Sequence, residues 1–243
     1  MSEAWPVHQM GVIDSTNTEA KRRVAAGFHD QWLLADQQTA GRGRQDRQWL
    51  SPAGNIYATA LFREPEGLQV ALRLPFACAL AVHDVVAAHA PMADARVKWP
   101  NDVRIDRKKV SGILVETGGS GGDFWIAAGI GINVLAIPDN VSQPATSLVE
   151  LGMPATVGVS TVFQTLREAF ARRLAQSRAG FAEIRETWLS RAEALGETLH
   201  IRAGDVAIEG IFEDLEQDGA LVVRLPDGSR RSIRAGEVEI RRS

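Results

Sequence analysis

The sequence predicts an α+β protein, in which a mixed β-sheet flanked by helices is followed by a small C-terminal β-barrel. Short apolar strand patterns alternate with helical patterns up to about Ala192, and a Gly-, Arg- and Gln-rich segment interrupts them at residues 39–55. Beyond Glu197 only short strand patterns and turn signals remain, which is typical of a small barrel. We therefore divide the chain into domains 1–192 and 193–243.

The N-terminal part predicts three strands and two helices. A helix should follow the first strand, because Thr16 and Glu19 have the spacing of a capping box and Gly27 can end the helix. The apolar helical pattern at 68–90 contains Pro75, which predicts a break or a late start. The strand patterns cover residues 7–13, 31–36 and 56–62.

The rest of the first domain predicts four strands and two amphipathic helices. The glycine-rich run 118–122 separates the last two strands as a hairpin. The strand patterns cover residues 96–99, 103–106, 110–117 and 124–134, and the helical patterns cover 156–175 and 181–195.

Composition excludes several classes of protein. The 243 residues are 45% hydrophobic and 23% charged, with a net charge of −3, so nothing indicates binding to nucleic acid or to a membrane surface. The N-terminus has no signal-peptide pattern, and no run of about 18 apolar residues predicts a transmembrane helix. The single cysteine, Cys78, lies in an apolar run and cannot form an internal disulfide, so we expect a cytoplasmic protein.

The segment from Gln38 to Trp49 carries the strongest chemical signal. Two glycines there allow close backbone approach to a ligand, and nearby arginines present guanidinium groups suited to phosphate or carboxylate oxygens. Trp49 adds a flat surface that can cover a ring. A solvated surface loop would have the same composition, so this pattern alone leaves both interpretations open.

Three further motifs follow along the chain. In Lys98-Trp99-Pro100-Asn101-Asp102 the proline ends a strand and places two polar residues at its end, although such a pair is often only a turn. Lys109 borders an apolar strand, where partial desolvation strengthens its attraction for an anion; the alternative is a solvated hairpin lysine. Gly129-Ile130-Gly131-Ile132-Asn133 indicates either close backbone approach or a tightly packed core strand.

Other catalytic patterns fail. Ser120 lies in a Gly-x-Ser-x-Gly sequence, but a strand pattern follows it instead of the helix that a nucleophile elbow needs. No Walker-type phosphate loop is present, and the five histidines show no metal-ligand spacing.

Taken together and in this order, the motifs resemble those of bacterial biotin protein ligases. The resemblance is dense from residue 12 to about 135 and looser over the C-terminal domain. It implies a catalytic domain like that of class II synthetases, an SH3-like barrel, and a ligase that uses ATP to attach biotin to a carrier protein. A helix-turn-helix domain would need about 60 residues before Ser15, so we expect the form without a DNA-binding domain.

The resemblance also implies roles for individual residues. Those expected at biotin are Ser15, Thr16, Asn17, Gln38, Gly41, Arg42, Gly43, Arg44, Lys109 and Gly112. Those expected at the nucleotide are Arg42, Arg44, Arg47, Trp49, Lys98, Asn101 and Asn133, and the catalytic residues are expected to be Lys109, Arg44 and Asp102. Asp46 stands where this family frequently has glycine, which puts the kinetics of the loop in doubt.

The implied partners are biotin, ATP with Mg²⁺, and a biotin carboxyl carrier protein; the sequence names no metal ligand and leaves monomer and homodimer open. Three alternatives remain. A lipoate or octanoate ligase would carry an Arg-Arg-x-Ser-Gly-Gly-Gly type loop, which this chain lacks. A non-enzymatic transcription regulator that senses biotinyl-adenylate is opposed by the net charge of −3 and the expected lack of a DNA-binding domain, and a footprint on the biotin operon would support it. A nucleotide-binding module without transfer activity would add no mass to a carrier fragment.

Overall fold

The first domain is built on a seven-stranded sheet. The computed structural model describes residues 4–139, 141, 143–204 and 206–240, without the side chain of Asp46. The strand order is β1-β2-β3-β7-β6-β5-β4. Only β1 and β2 pair in parallel, so the sheet is mixed, as predicted. The strands are β1 Val7–Ile13, β2 Gln31–Gln38, β3 Ile56–Arg63, β4 Ala95–Lys98, β5 Asp102–Ile105, β6 Lys108–Gly118 and β7 Trp125–Ile132.

Four helices accompany this sheet: α1 Thr16–Ala25, α2 Leu68–His89, α3 Val159–Ala179 and α4 Ala182–Ser190. Helix α2 packs against the sheet and against α3. Aromatic rings fill part of the space around it: Trp32 of β2 meets the edges of Phe163 and Phe170 of α3 at centroid distances of 5.6 and 5.0 Å. Burial of this apolar surface holds the layers together.

Helix α2 corrects one expectation, because it continues through Pro75 without a break. Leu74 and Phe76 are 0% and 4% exposed, so core packing on both sides of the proline outweighs the one missing backbone hydrogen bond. By length and composition α2 could span a membrane, but 67% of its most apolar window is buried inside the fold. Its apolar character is therefore that of a core helix.

The start of helix α1 corrects a second expectation. Ser15 occupies the N-cap position and makes no side-chain cap hydrogen bond, so the predicted capping box is wrong. Glu19 instead pairs with Arg23, at 2.8 Å between Oε1 and Nε. The Thr16 hydroxyl points away from the helix end into the protein. The predicted end of the helix is confirmed, since Gly27 has a φ of +74° just beyond it.

Two boundaries also differ from the sequence patterns. Strand β5 ends at Ile105 because Asp106 and Arg107 have positive φ and form the turn to β6. The helical pattern at 181–195 ends at Ser190. The next residues pair with β4: the Val97 amide donates to the Arg191 carbonyl at 3.0 Å, and the Glu193 amide donates to the Val97 carbonyl at 2.9 Å. Backbone pairing at the sheet edge replaces the last helical turn.

The second domain is a five-stranded antiparallel sheet with the order β11-β10-β9-β8-β12. Its strands are β8 Thr198–Ala203, β9 Val206–Leu215, β10 Leu221–Arg224, β11 Arg230–Ile233 and β12 Glu237–Glu239. The arrangement is barrel-like, although no pairing of β11 with β12 closes it among the described residues.

The turn before β10 joins the two domains. The indole Nε1 of Trp99, which follows β4, donates to the Gly219 carbonyl at 3.0 Å in a buried position. Gly219 has a φ of +79°, and a Cβ there would lie 2.5 Å from the ring of Phe76 in α2. This turn therefore fits against the first domain only with glycine.

Candidate active site

One cavity of about 750 Å³ brings the sequence motifs together. It lies between the central strands and the segment 40–49, which we call the flap. Gly41 is the one predicted site residue that does not line it. The predicted residues that do are Ser15, Thr16, Asn17, Gln38, Arg42, Gly43, Arg44, Arg47, Trp49, Lys98, Asn101, Asp102, Lys109, Gly112 and Asn133.

The flap folds back on itself. The Trp49 amide donates to the Gly41 carbonyl at 2.9 Å, and the Gly43 amide donates to the Arg47 carbonyl at 2.7 Å. A Cβ on Gly41 would lie 2.3 Å from the Trp49 carbonyl oxygen. Gly41 therefore allows the two arms of the flap to approach each other, which explains a glycine here without any ligand contact.

Three glycines form one surface of the cavity. Gly112 of β6 and Gly131 of β7 are partners in the sheet register. Added Cβ atoms would lie 2.9 and 2.6 Å from the Trp49 indole, and one on Gly129 would lie 2.3 Å from Asn17 Oδ1. The glycines therefore admit the indole and the amide to the face of a buried strand, which combines the two interpretations of this stretch.

The beginning of α1 supplies a buried polar cluster. Ser15, Thr16 and Asn17 are 2%, 4% and 3% exposed. The amide and hydroxyl of Thr16 donate to Gln38 Oε1 at 2.9 and 3.2 Å. The Thr59 hydroxyl lies 2.8 Å from that of Thr16 and 2.6 Å from Asn17 Oδ1. Sequence reasoning missed Thr59, because it stands in an apolar strand with no motif around it.

Lys109 faces the flap. Its ammonium nitrogen lies 5.3 Å from the centre of the Trp49 ring and 2.6 Å from Asp102 Oδ1. The Lys109 and Asp102 side chains are only 24% and 15% exposed, so water screens their charges weakly. The hairpin between β5 and β6 thus presents a cation and an anion side by side at the cavity.

Two other cations at the cavity, Lys98 and Arg44, have no ion-pair partner in the described part of the chain that balances their charge. Burial, together with the charge of Arg104, lowers the pKa of Lys98 below its ordinary value. Burial likewise lowers the pKa of Arg44, whose Nη1 lies 3.5 Å from Asn101 Oδ1. No carboxylate among the described side chains forms an ion pair with Lys98 or Arg44. A bound anion would relieve this desolvation.

The remaining flap arginines are paired. Arg42 Nη1 lies 3.1 Å from Oε1 of Glu116, on β6. Arg47 forms an ion pair with Glu237 of β12 in the second domain. No role was predicted for Glu116, and nothing in the sequence pattern indicated Glu237 or Val238, the residues of β12 that line the cavity. The side chain of Asp46 lies outside the described residues.

Two buried polar atoms at the cavity have neither a hydrogen-bond nor an ion-pair partner among the described residues: Trp49 Nε1 and Asn133 Oδ1. The Asn133 amide group is otherwise anchored, since its Nδ2 donates to the Thr146 carbonyl at 3.1 Å. Buried polar atoms are rarely left unpaired in folded proteins, so a polar ligand is expected to contact them.

Comparison with known proteins agrees with this geometry. The sequence pattern of the Biotin/lipoate A/B protein ligase family matches residues 10–133, and that of the Biotin protein ligase C terminal domain matches residues 194–241. The biotin–[acetyl-CoA-carboxylase] ligase of Paracoccus denitrificans is 42% identical over 93% of this chain and 96% of its own length.

The chain belongs to the biotin/lipoate A/B protein ligase family.

Within this family, the bifunctional ligase/repressor BirA of Escherichia coli is 30% identical, with 95% of this chain and 72% of that protein aligned. The biotin protein ligase of Aquifex aeolicus in complex with biotin and ATP superposes with a TM-score of 0.81 and 30% identity, covering 98% of this chain and 99% of that one. The likeness thus extends over both sheets of the structure.

Proposed function

We propose that this protein activates biotin with ATP and transfers it to a lysine of a biotin carboxyl carrier protein. The observation that carries the proposal is one shared cavity, in which Lys109, the arginine-bearing flap and a buried polar cluster meet. Relatives are named biotin–[acetyl-CoA-carboxylase] ligases, and a similar structure holds biotin and ATP. The carrier is proposed from the acceptor named in those relatives.

The biotin end of the cavity is assigned to the polar cluster at the start of α1. Buried donors and acceptors in a fixed arrangement select a ureido ring, because an unsatisfied polar atom there would be costly. Ser15, Thr16, Asn17 and Gln38 supply these groups. Gly112 and Gly43 line the same cavity, and we assign both to the biotin end.

The first step joins two anions. An oxygen of the biotin carboxylate attacks the α-phosphorus of ATP and pyrophosphate leaves, forming biotinyl-5′-adenylate. Fixed cations must offset the repulsion between carboxylate and phosphate. Lys98 and Arg44 have no ion-pair partner among the described side chains, and Lys109 shares its charge only with Asp102. These three cations are assigned to the reacting groups.

The nucleotide end is assigned to Trp49, Asn101, Arg47 and Asn133. The unpaired Asn133 Oδ1 is an acceptor suited to an exocyclic amino group, and the Trp49 indole offers a flat surface to a ring. Mg²⁺ is expected to arrive as part of the Mg-ATP substrate. Among the described residues no group of three or more His, Cys, Asp or Glu side chains could hold a metal by itself.

In the second step the neutral amine of the carrier lysine attacks the adenylate carbonyl, an amide forms and AMP leaves. The incoming ammonium group must first lose a proton. Asp102 is assigned to orient this lysine, because its carboxylate lies at the cavity beside Lys109. We place the reaction in the cytoplasm, a reducing compartment that suits the free, buried Cys78.

Mass spectrometry of a carrier fragment tests the proposal. The fragment is incubated with the protein and Mg-ATP, together with either biotin or lipoate. We expect the fragment to gain the mass of one biotinyl group at one lysine, and to gain nothing with lipoate. Transfer of lipoate but not biotin would show that the protein is a lipoate ligase. Adenylate formation without transfer would leave it a nucleotide-binding regulator.

A further inference from the structure

Glu116 lies at the junction of three segments that meet beside the cavity. It stands on β6, where it pairs with Ala127 of β7. Its carboxylate accepts a hydrogen bond from Asn17 Nδ2 at 3.0 Å and binds the Lys21 ammonium at 2.7 Å, both from helix α1. The third contact comes from the flap, through Arg42 Nη1 at 3.1 Å.

The ion pair between Arg42 and Glu116 is placed where it can be strong. The Glu116 side chain is only 15% exposed, against 37% for Arg42, so the carboxylate is largely shielded from water. Burial alone would raise the pKa of Glu116. The hydrogen bonds from Lys21 and Asn17 and the charge of Arg42 outweigh burial, so the pKa lies below its ordinary value. Glu116 therefore stays charged at neutral pH, when it can hold the arginine.

Arg42 occupies the arm of the flap, not its tip. It forms a backbone bridge with Gln48 across the two arms, while Arg44 lies further along at the turn. A guanidinium tied to Glu116 fixes the direction in which the flap leaves the sheet. The ion pair also offsets part of the Arg42 charge, although the same carboxylate is shared with Lys21.

Asn17 connects the same carboxylate to the biotin end of the cavity. Its Nδ2 donates to Glu116 and its Oδ1 accepts from the Thr59 hydroxyl at 2.6 Å. The Glu116 carboxylate thus touches both a residue assigned to biotin binding and the base of the flap. Whatever orders one of these groups also restrains the other through a shared partner.

We propose that Glu116 is a positioning residue that clamps the flap to helix α1 through Arg42, and so sets how firmly the flap retains the biotinyl-adenylate. This role rests on the proposed biotin ligase function. In this role Arg42 is the flap residue that Glu116 holds, and it is not a phosphate ligand. Arg44, Lys98 and Lys109 are then the cations left for the reacting anions.

The test compares Glu116→Gln, Arg42→Gln and the double variant with the wild type. Glutamine preserves the shape of Glu116 and can still accept from Asn17, but it loses the charge that holds Arg42. Glu19→Gln is the matched control, since Glu19 lies on α1 and pairs with surface arginines away from the flap. Thermal melting checks whether each variant is folded.

The first measurement needs no activity: trypsin cleavage after Arg44 and Arg47 in the protein without ligand. We expect cleavage about tenfold faster in both single variants, as the loss of one charge-assisted hydrogen bond predicts. The double variant should add little, because both changes break the same contact. Glu19→Gln should match the wild type.

The second measurement follows the preformed adenylate and the steady-state kinetics. Both single variants should release adenylate about tenfold faster and raise the KM for biotin, with an unchanged KM for ATP. Cleavage and retention within twofold of the Glu19→Gln control would overturn the clamp. So would a raised KM for ATP in Arg42→Gln alone, which would make Arg42 a phosphate ligand.

The two proposals fail separately. A wild-type protein that transfers no biotin defeats the proposed function, while the cleavage comparison still tests the contact between Glu116 and Arg42. If Glu116→Gln does not fold, Arg42→Gln decides the question, because Arg42 lies on the partly exposed flap and not in the sheet.

Discussion

Replacing Gly131 with alanine tests whether the glycine surface of the cavity exists to admit Trp49. The added Cβ would lie 2.6 Å from Trp49 Cε2 and 2.7 Å from Nε1. Ordinary carbon contacts are about 3.5 to 4.0 Å, so the indole must move by roughly 1 Å. Trp49 is held between Gly131, Gly112 and Lys109, and it is large and rigid. The displacement therefore has to change the position of the flap.

Overpacking of this kind costs about 1 to 3 kcal/mol. If the cost falls on the ligand-bound arrangement of Trp49, the KM for ATP should rise by about 5- to 150-fold, at about 1.4 kcal/mol for each factor of ten. The assay is biotin-dependent exchange of pyrophosphate into ATP at varied ATP concentration. The change in indole fluorescence on adding Mg-ATP should decrease in parallel.

Gly11→Ala provides the matched control, because Gly11 is also a strand glycine but a Cβ there meets nothing within 4 Å. The control should leave both measurements unchanged. A KM for ATP within twofold of wild type in Gly131→Ala, with a normal fluorescence response, would refute the reasoning. Trp49 would then be free to move at no cost to nucleotide binding.

The remaining predictions concern charge, packing and pH. Lys109→Met should lower the rate of pyrophosphate exchange by about 10²-fold, as expected for a preorganised charge beside the reacting groups. The same substitution at its exposed neighbour, Lys108→Met, should leave this rate unchanged. Equal effects of the two substitutions would remove Lys109 from the mechanism. Gly228→Ala and Gly219→Ala both place alanine at positive φ, but only the alanine at 219 meets the Phe76 ring. Gly219→Ala should therefore lower the free energy of unfolding, measured with denaturant, by about 1 to 3 kcal/mol more than Gly228→Ala. Equal losses would show that the contact between Gly219 and Phe76 does not stabilise the protein. Burial and the charge of Arg191 lower the pKa of His83 to about 4 in the folded state. The unfolded chain therefore binds a proton at His83 first, as the pH falls below about 6.5. The free energy of unfolding should decrease as the pH falls from about 6.5 to about 4. A His83→Gln variant should lose less stability than wild type on going from pH 7 to 5 in thermal melts, and identical losses would contradict this.

The fold class and most elements were predictable from sequence. Apolar periodicity located all seven strands of the first sheet and its four helices, because one face or both faces of each element are buried. The errors arose where local signals competed with packing. Pro75 breaks isolated helices but not α2, and residues 191–193 pair with β4 although their pattern continues a helix.

The cavity residues were also largely predictable, because motifs keep their ligand-facing residues close together in the chain. Pattern alone could not separate a ligand loop from a solvated one, and only the combination of motifs pointed to a family. Thr59 and Glu237 escaped, since nothing near them in sequence distinguishes them from strand residues. The contact of Gly41 with biotin stays a prediction, because Gly41 does not line the cavity and a Cβ there would meet the Trp49 carbonyl oxygen.

The sequence by itself therefore determined the kinds of elements, their order and the set of charged and polar groups available for chemistry. Only the tertiary structure decided which charges are free and which are neutralised. Arg42 and Glu116 are 74 residues apart, and Arg47 meets Glu237 from the other domain. Electrostatic energy depends on distance in space and on burial. The local sequence pattern shows neither the distances between charges nor their burial. The arginines of one loop therefore acquire different roles only when the chain folds.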